Sequence, residues 1–202
     1  MPGQEESEND YHDLDNKPID QYVIKQILKT DPVLETWRDT LKDLFIKSFS
    51  HAYRDVELDL PPGQSLYTYL EHAFNTTWPL IQSGKLQLWI VIGGTPETAF
   101  GFMFIQQKEN ICYIEQFAIH PDFQRMKIGT NLLKVVEERY HLIWLHTRYV
   151  NKGAISFYTR RGFTSSGNDD DSIYPPEFPS RSPDIYLRMK KRCQLTQTSD
   201  SN

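Results

Sequence analysis

The chain has 202 residues, of which 39% are hydrophobic and 13% aromatic, enough for one domain to bury a core without metals or disulfide staples. Its formal charge is −5, yet the acidic excess sits in residues 1–17, where Glu5, Glu6, Glu8, Asp10, Asp13 and Asp15 face Lys17 alone. The remainder is balanced, which excludes the electrostatic footprint of a nucleic-acid or anionic-membrane binder.

Residues 1–17 are polar and poor in aliphatics and predict a disordered acidic tail. A folded domain spans 18–192, and a second polar tail covers 193–202. Within the domain, QYVIKQIL (21–28) reads as a strand. Asp31 then offers a cap for a helix with Pro32 in its first turn, and Leu34, Trp37, Leu41, Leu44, Phe45 and Phe49 make one apolar stripe. DVELDLPPGQS breaks it, and a second helix carries Leu66, Tyr69, Leu70, Ala73, Phe74 and Trp78 before Ser83-Gly84. Three strands follow as an antiparallel meander over 86–92, 101–107 and 111–119, joined by Gly-, Pro- and Asn-rich turns. A helix over Asn131–Tyr140 and an apolar strand over 142–147 suggest a parallel crossover. A helix over 153–161 stops at Gly162, and 184–190 closes the sheet. The predicted class is α/β of the α+β kind: one domain with a mixed, mostly antiparallel sheet flanked by helices.

The two cysteines suit no disulfide framework: Cys112 reads as a small buried side chain and Cys193 as a free exposed thiol. Cys112 lies in an apolar strand without an evident His partner, so it is a poor nucleophile. Six scattered histidines and the lack of CxxC or HExxH predict no metal site. The acidic N-terminus lacks an apolar signal region and no run reaches membrane-span length, so the expected location is cytoplasmic.

DFQRMKIGTN (122–131) crowds Arg125 and Lys127 ahead of Gly129 at the start of a helix. A helix N-terminus presents unpaired N–H groups and a partial positive charge, and Gly129 removes a Cβ from the approach. Thr130 adds a hydroxyl. The loop follows a strong strand, where α/β sheets place ligands. It matches neither a P-loop nor a dinucleotide fingerprint. Such a pattern also arises as a plain solvated turn.

Read together, YIEQFAIHPDFQRMKIGTNLL resembles the acetyl-CoA-binding segment of the GCN5-related N-acetyltransferase (GNAT) family. Ile119-His120-Pro121 matches its aliphatic-x-Pro, and Gln124 through Gly129 match its Gln/Arg-x-x-Gly-x-Gly/Ala, with Lys127 where the family usually has its first glycine. NKGAISFYTRRGF (151–163) resembles the family's Asn-x-x-Ala-x-x-Phe-Tyr-x-x-x-Gly-Phe at each named position.

The resemblance implies an N-acetyltransferase that moves an acetyl group from acetyl-CoA to a primary amine by direct attack in a ternary complex. It implies a pantetheine arm paired with Phe117, Ala118 and Ile119. The diphosphate would lie on the loop Gln124, Arg125, Met126, Lys127, Ile128, Gly129 and Thr130. Asn151 is implied as a cofactor contact, a helix cap, or both. Tyr158 matches the family's general acid, against a packed-tyrosine reading. Glu115 is the candidate base, expected to share a face with Phe117 and Ile119, against the reading of a paired structural carboxylate. His120 is either a further base or part of a turn. The acceptor would enter between residues 53–65 and 166–183, where Asp55, Glu57, Asp59 and Asp169 to Asp171 favour a cationic amine: a small amine, or a lysine or N-terminal amine of a peptide. The working form is a monomer or a homodimer. The alternative is a non-catalytic acyl-CoA-binding or sensing module.

Overall fold

The computed structural model describes residues 21–166 and 172–194. The N-terminal tail, most of the C-terminal one, and Asp169 to Asp171 lie outside the described residues. Seven strands form one sheet in the order β1-β2-β3-β4-β5-β7-β6. They are β1 (Tyr22–Ile27), β2 (Gln87–Gly93), β3 (Thr98–Lys108), β4 (Ile111–Ile119), β5 (Leu142–Arg148), β6 (Thr164–Ser165) and β7 (Tyr186–Arg192). Four helices flank them: α1 (Arg38–Ala52), α2 (Leu66–Gln82), α3 (Ile128–Glu137) and α4 (Lys152–Arg160). Among the described residues only β4 and β5 pair in parallel, as the crossover through α3 requires.

Each face of the sheet has its own core. On one face α1 and α2 set Leu41, Phe45, Phe74 and Trp78 on Leu88, Ile90, Phe102 and Phe104. Phe45 and Phe102 stack at 6.1 Å. On the other face, Leu132, Leu133 and Val136 of α3 meet Met103, Ile105, Cys112, Ile143 and Leu145, with Tyr158 and Phe163 in the same cluster. Each buried side chain of this size contributes roughly 1.5–3 kcal/mol relative to exposure.

Helix starts depart from the sequence reading where side chains find other partners. Asp31 turns back to accept a hydrogen bond from the Leu28 amide at 2.7 Å, so it does not cap α1. A short 3-10 turn over Glu35–Trp37 intervenes, and α1 starts at Arg38. Ser65 caps α2, its Oγ accepting from the Thr68 amide at 3.1 Å. The helix expected from Asn131 begins three residues earlier, at Ile128. Cys193 is half-buried, not exposed, and packs beside the α3 core; both thiols are free.

Two features of β4 create the site. Its pairing with β5 ends at Ile114↔Leu145, so the edge of Glu115–Ile119 facing β5 has no strand partner among the described residues. Its pairing with β3 skips a residue: Ile105 faces Ile114 and Phe104 faces Gln116, which makes Glu115 a β-bulge. Cys112 and Ile114 before the bulge, and Phe117 and Ile119 after it, therefore all pack on the α3 side. The expectation that Glu115 shares their face is wrong for this reason. Glu115 lies with Tyr113 and Arg181 instead. Among the described residues no helix is long and apolar enough to cross a membrane.

Candidate active site

The fork between β4 and β5 opens into a cavity of about 400 Å³. Its walls come from α1, α2, the ends of β4 and β5, the start of α4, and the segment around Arg181 and Tyr186. Tyr158, Asn151, Glu115 and Phe117 all reach it. Tyr53 and Arg181 come from the two segments expected to frame the acceptor.

The unpaired edge runs into a short 3-10 turn, Pro121–Phe123. His120 Nδ1 accepts from the Asp122 amide at 3.2 Å and caps that turn, which occupies the side chain outside the cavity. The geometry therefore favours the turn reading of His120 over the base. Gln124 folds back, its Nε2 donating to the Ile119 carbonyl at 3.2 Å. Arg125 and Lys127 both have left-handed backbones, at φ 65° and 61°. Lys127 thus keeps the conformation that glycine adopts freely, at a cost of roughly 1–2 kcal/mol. Turns of this kind point successive amides into a concavity suited to anions. Arg125, Met126 and Lys127 are exposed, and Thr130 is half-buried. Ile128 puts its side chain in the core and has only its backbone to offer a ligand.

Gly129 answers to packing as much as to ligand approach. A Cβ there would lie 3.3 Å from Ile119 Cγ1 and 3.5 Å from Phe117 Cζ. Its absence lets the first turn of α3 sit against the free strand.

Asn151 caps α4, its Oδ1 accepting from the Ala154 amide at 3.0 Å. Its side chain also lies near the Tyr53 phenol. Tyr158 is 7% exposed and sits 6.3 Å from the ring of Phe117. Burial pushes its phenol well above the ordinary value, with the Tyr53 phenol adding to the rise. Tyr158 is therefore packed and also lines the cavity.

Glu115 is paired, as the structural reading expected, and still has a free acceptor. Arg181 Nη2 donates to its Oε1 at 2.5 Å, whereas its Oε2 is buried with no hydrogen-bond partner among the described residues. Burial raises the carboxyl pKa, opposed by the charge and hydrogen bond of Arg181. A raised carboxyl with one open oxygen is suited to take a proton.

Several wall residues carry no local motif. His146 Nδ1 lies 3.0 Å from Tyr113 Oη. Burial, then the charges of Arg181 and Arg188, lower its pKa to about 4, so it stays neutral at pH 7. Tyr113 is buried and its phenol rises, by burial first and the Glu115 charge second. Arg148, Tyr69 and Tyr186 complete the wall. A sequence signal existed for two of them: the apolar strand LIWLHTR ends abruptly in His146, Thr147 and Arg148. The acidic residues of the 53–65 segment, Asp55, Glu57 and Asp59, are exposed, and none of them lines the cavity.

No curated protein matches the chain. Among solved structures, PaiA N-acetyltransferase from Thermoplasma acidophilum, in complex with coenzyme A, is similar over 85% of this chain and 99% of its own, with TM-score 0.60 and 16% identity. A GNAT-family acetyltransferase from Staphylococcus aureus covers 85% and 100%, with TM-score 0.59 and 17% identity. The ribosomal-protein alanine N-acetyltransferase of Escherichia coli covers 90% and 100%, with TM-score 0.55 and 17% identity. At such identities they establish the fold. The model of the acetyltransferase (GNAT) family matches residues 34–163. That span runs from the start of the first helical stripe to Phe163 and contains the forked strand, the α3 loop and Tyr158. The chain belongs to the acetyltransferase (GNAT) family.

Proposed function

We propose that the protein is an N-acetyltransferase that acetylates a small primary amine, with acetyl-CoA as donor. One observation carries this reading: the unpaired edge of β4 opens into the same cavity as the Tyr158 phenol and the free Oε2 of Glu115. The residues fit the donor. A free strand edge can pair with an extended amide-bearing arm. The left-handed loop and the bare Gly129 leave the amides at the start of α3 open to a diphosphate. Phe117, Ala118 and Ile119 would hold the arm, residues Gln124 to Thr130 the diphosphate, and Asn151 the cofactor near the cap of α4.

Bound there, acetyl-CoA supplies an acyl group activated as a thioester. The protein's own groups manage protons and water. An ammonium must lose a proton before its nitrogen can attack, and Glu115 Oε2 is the acceptor. Neutral His146 is a second acceptor on the same wall. Tyr158 keeps its proton at neutral pH and so can donate it to a leaving thiolate. Arg181 orients the Glu115 carboxylate. The buried tyrosines limit water around the reacting atoms.

Calorimetric titration with acetyl-CoA, with desulfo-CoA and ATP as controls, tests the donor; thiol release across a panel of amines tests turnover. Saturable acetyl-CoA binding and amine-dependent thiol release are expected. Binding without turnover on any amine would favour the sensing module, and no binding would remove the reading.

A further inference from the structure

Arg148 ends β5 just where β4 has parted from it. It is 9% exposed and lines the cavity. Its surroundings are phenols. Nη2 donates to Tyr69 Oη at 3.1 Å, and the guanidinium lies 5.2 Å from the Tyr186 ring centroid and 5.7 Å from that of Tyr69. Tyr53 is also within electrostatic reach. No carboxylate pairs with Arg148 among the described residues, in contrast to Arg181, which holds Glu115.

A buried guanidinium without a counter-ion is destabilising, and neutral phenols do not cancel its charge. It has five N–H donors, so one bond to Tyr69 leaves most of them unused. The planar fork matches a carboxylate in two-point fashion. The same cavity holds the opposite charge, since Glu115 keeps Oε2 free. Phe45, Phe49, Leu70 and Ala73 line another part of it.

The geometry points to an acceptor that carries a carboxylate held by Arg148 as well as its amine, with an apolar body: the amino-acid class. This rests on the transferase reading for the fate of the amine, and on Arg148 alone for the carboxylate. It revises the expectation of a purely cationic acceptor, since a second positive charge on the ligand would lie against a buried, uncompensated cation. Tyr69, Tyr53 and Tyr186 offer hydroxyls beside the carboxylate, and Glu115 takes the ammonium end.

The test is calorimetry on the full chain without acetyl-CoA. The probes are N-acetyl-leucine, N-acetyl-phenylalanine and N-acetyl-tyrosine, each as the free acid and as the amide. At least one acid should bind tenfold or more tightly than its amide. Arg148→Met should abolish that preference, and Arg148→Lys should retain part of it. The comparison of acid with amide on the unaltered protein needs no variant to fold. Equal affinity for acids and amides, no binding of any probe, or a preference that survives Arg148→Met each overturns the proposal. A parallel acetyl-CoA titration separates the two readings. Carboxylate preference without acetyl-CoA binding keeps the anion site and removes the transferase. The reverse result keeps the transferase and removes the anion site.

Discussion

The proposed site has two halves, one for the donor and one for the acceptor, and they are built differently. The donor half is nearly continuous in sequence: the end of β4, one turn and the start of α3 fall within residues 115–130, with Asn151 and Tyr158 close behind. The acceptor half draws Tyr53 from the end of α1, Tyr69 from α2, Tyr113 and Glu115 from β4, His146 and Arg148 from β5, and Arg181 and Tyr186 from the closing segment. An extended ligand that binds along backbone can be read by one contiguous stretch. A compact ligand at the end of a fork must be met by side chains from every element that reaches it.

The largest effect that would sharpen this division is on Tyr158. Tyr158→Phe removes the proton donor and leaves the ring in its packing, so kcat should fall by roughly 10²–10³ while the acetyl-CoA Kd stays unchanged. Steady-state kinetics with calorimetry separates the two; a weakened Kd would make the Tyr158 hydroxyl a binding contact for acetyl-CoA. Next is Glu115→Gln, which should lower kcat/KM by about 10² and remove the loss of rate seen as pH falls through the raised carboxyl pKa. An unchanged acid limb in that variant would shift the base to another group, with His146 first.

The acceptor half should also show in stability. His146 has a lowered folded pKa, so between about 6.5 and about 4 the unfolded chain binds its proton more readily than the folded one. Its contribution is present above that window and disappears as pH drops through it. Urea unfolding of wild type and His146→Gln across this range should give a shallower pH slope for the variant, by a few kcal/mol at most. Parallel slopes would mean that the imidazole is solvated.

Two changes probe the donor half. Gly129→Val places atoms against Ile119 and Phe117 and should destabilise by roughly 1–3 kcal/mol while weakening acetyl-CoA binding. Lys127→Gly should have the smallest effect. Relief of left-handed strain exceeds the added chain entropy by up to about 1 kcal/mol, readable as a small rise in Tm.

The same division explains what could be read from sequence. Hydrophobic period and turn residues gave the strands, the helices and the crossover. The α3 loop was legible because the residues that form it are neighbours in the chain. The onset of α3 at Ile128 was obscured because Lys127 adopts a glycine-like conformation that no local pattern announces. The β4 bulge was hidden because ICYIEQFAI is apolar on both sides of Glu115, so a change of phase leaves little trace in hydropathy. Arg148 and Arg181 were missed because their importance lies in what surrounds them: one faces phenols and the other a carboxylate, and both neighbourhoods form only on folding.

The bulge has a consequence for how this strand can vary. Residues on either side of Glu115 already point to the faces that an uninterrupted strand would give them, so Glu115 is an insertion that the sheet tolerates without using. Deleting it would let Gln116 follow Ile114 in regular pairing and leave both hydrophobic cores in phase. Strand pairing thus places little demand on this position, which holds the proposed proton acceptor. A strand with such a spare position can trade its reacting group without renegotiating its architecture.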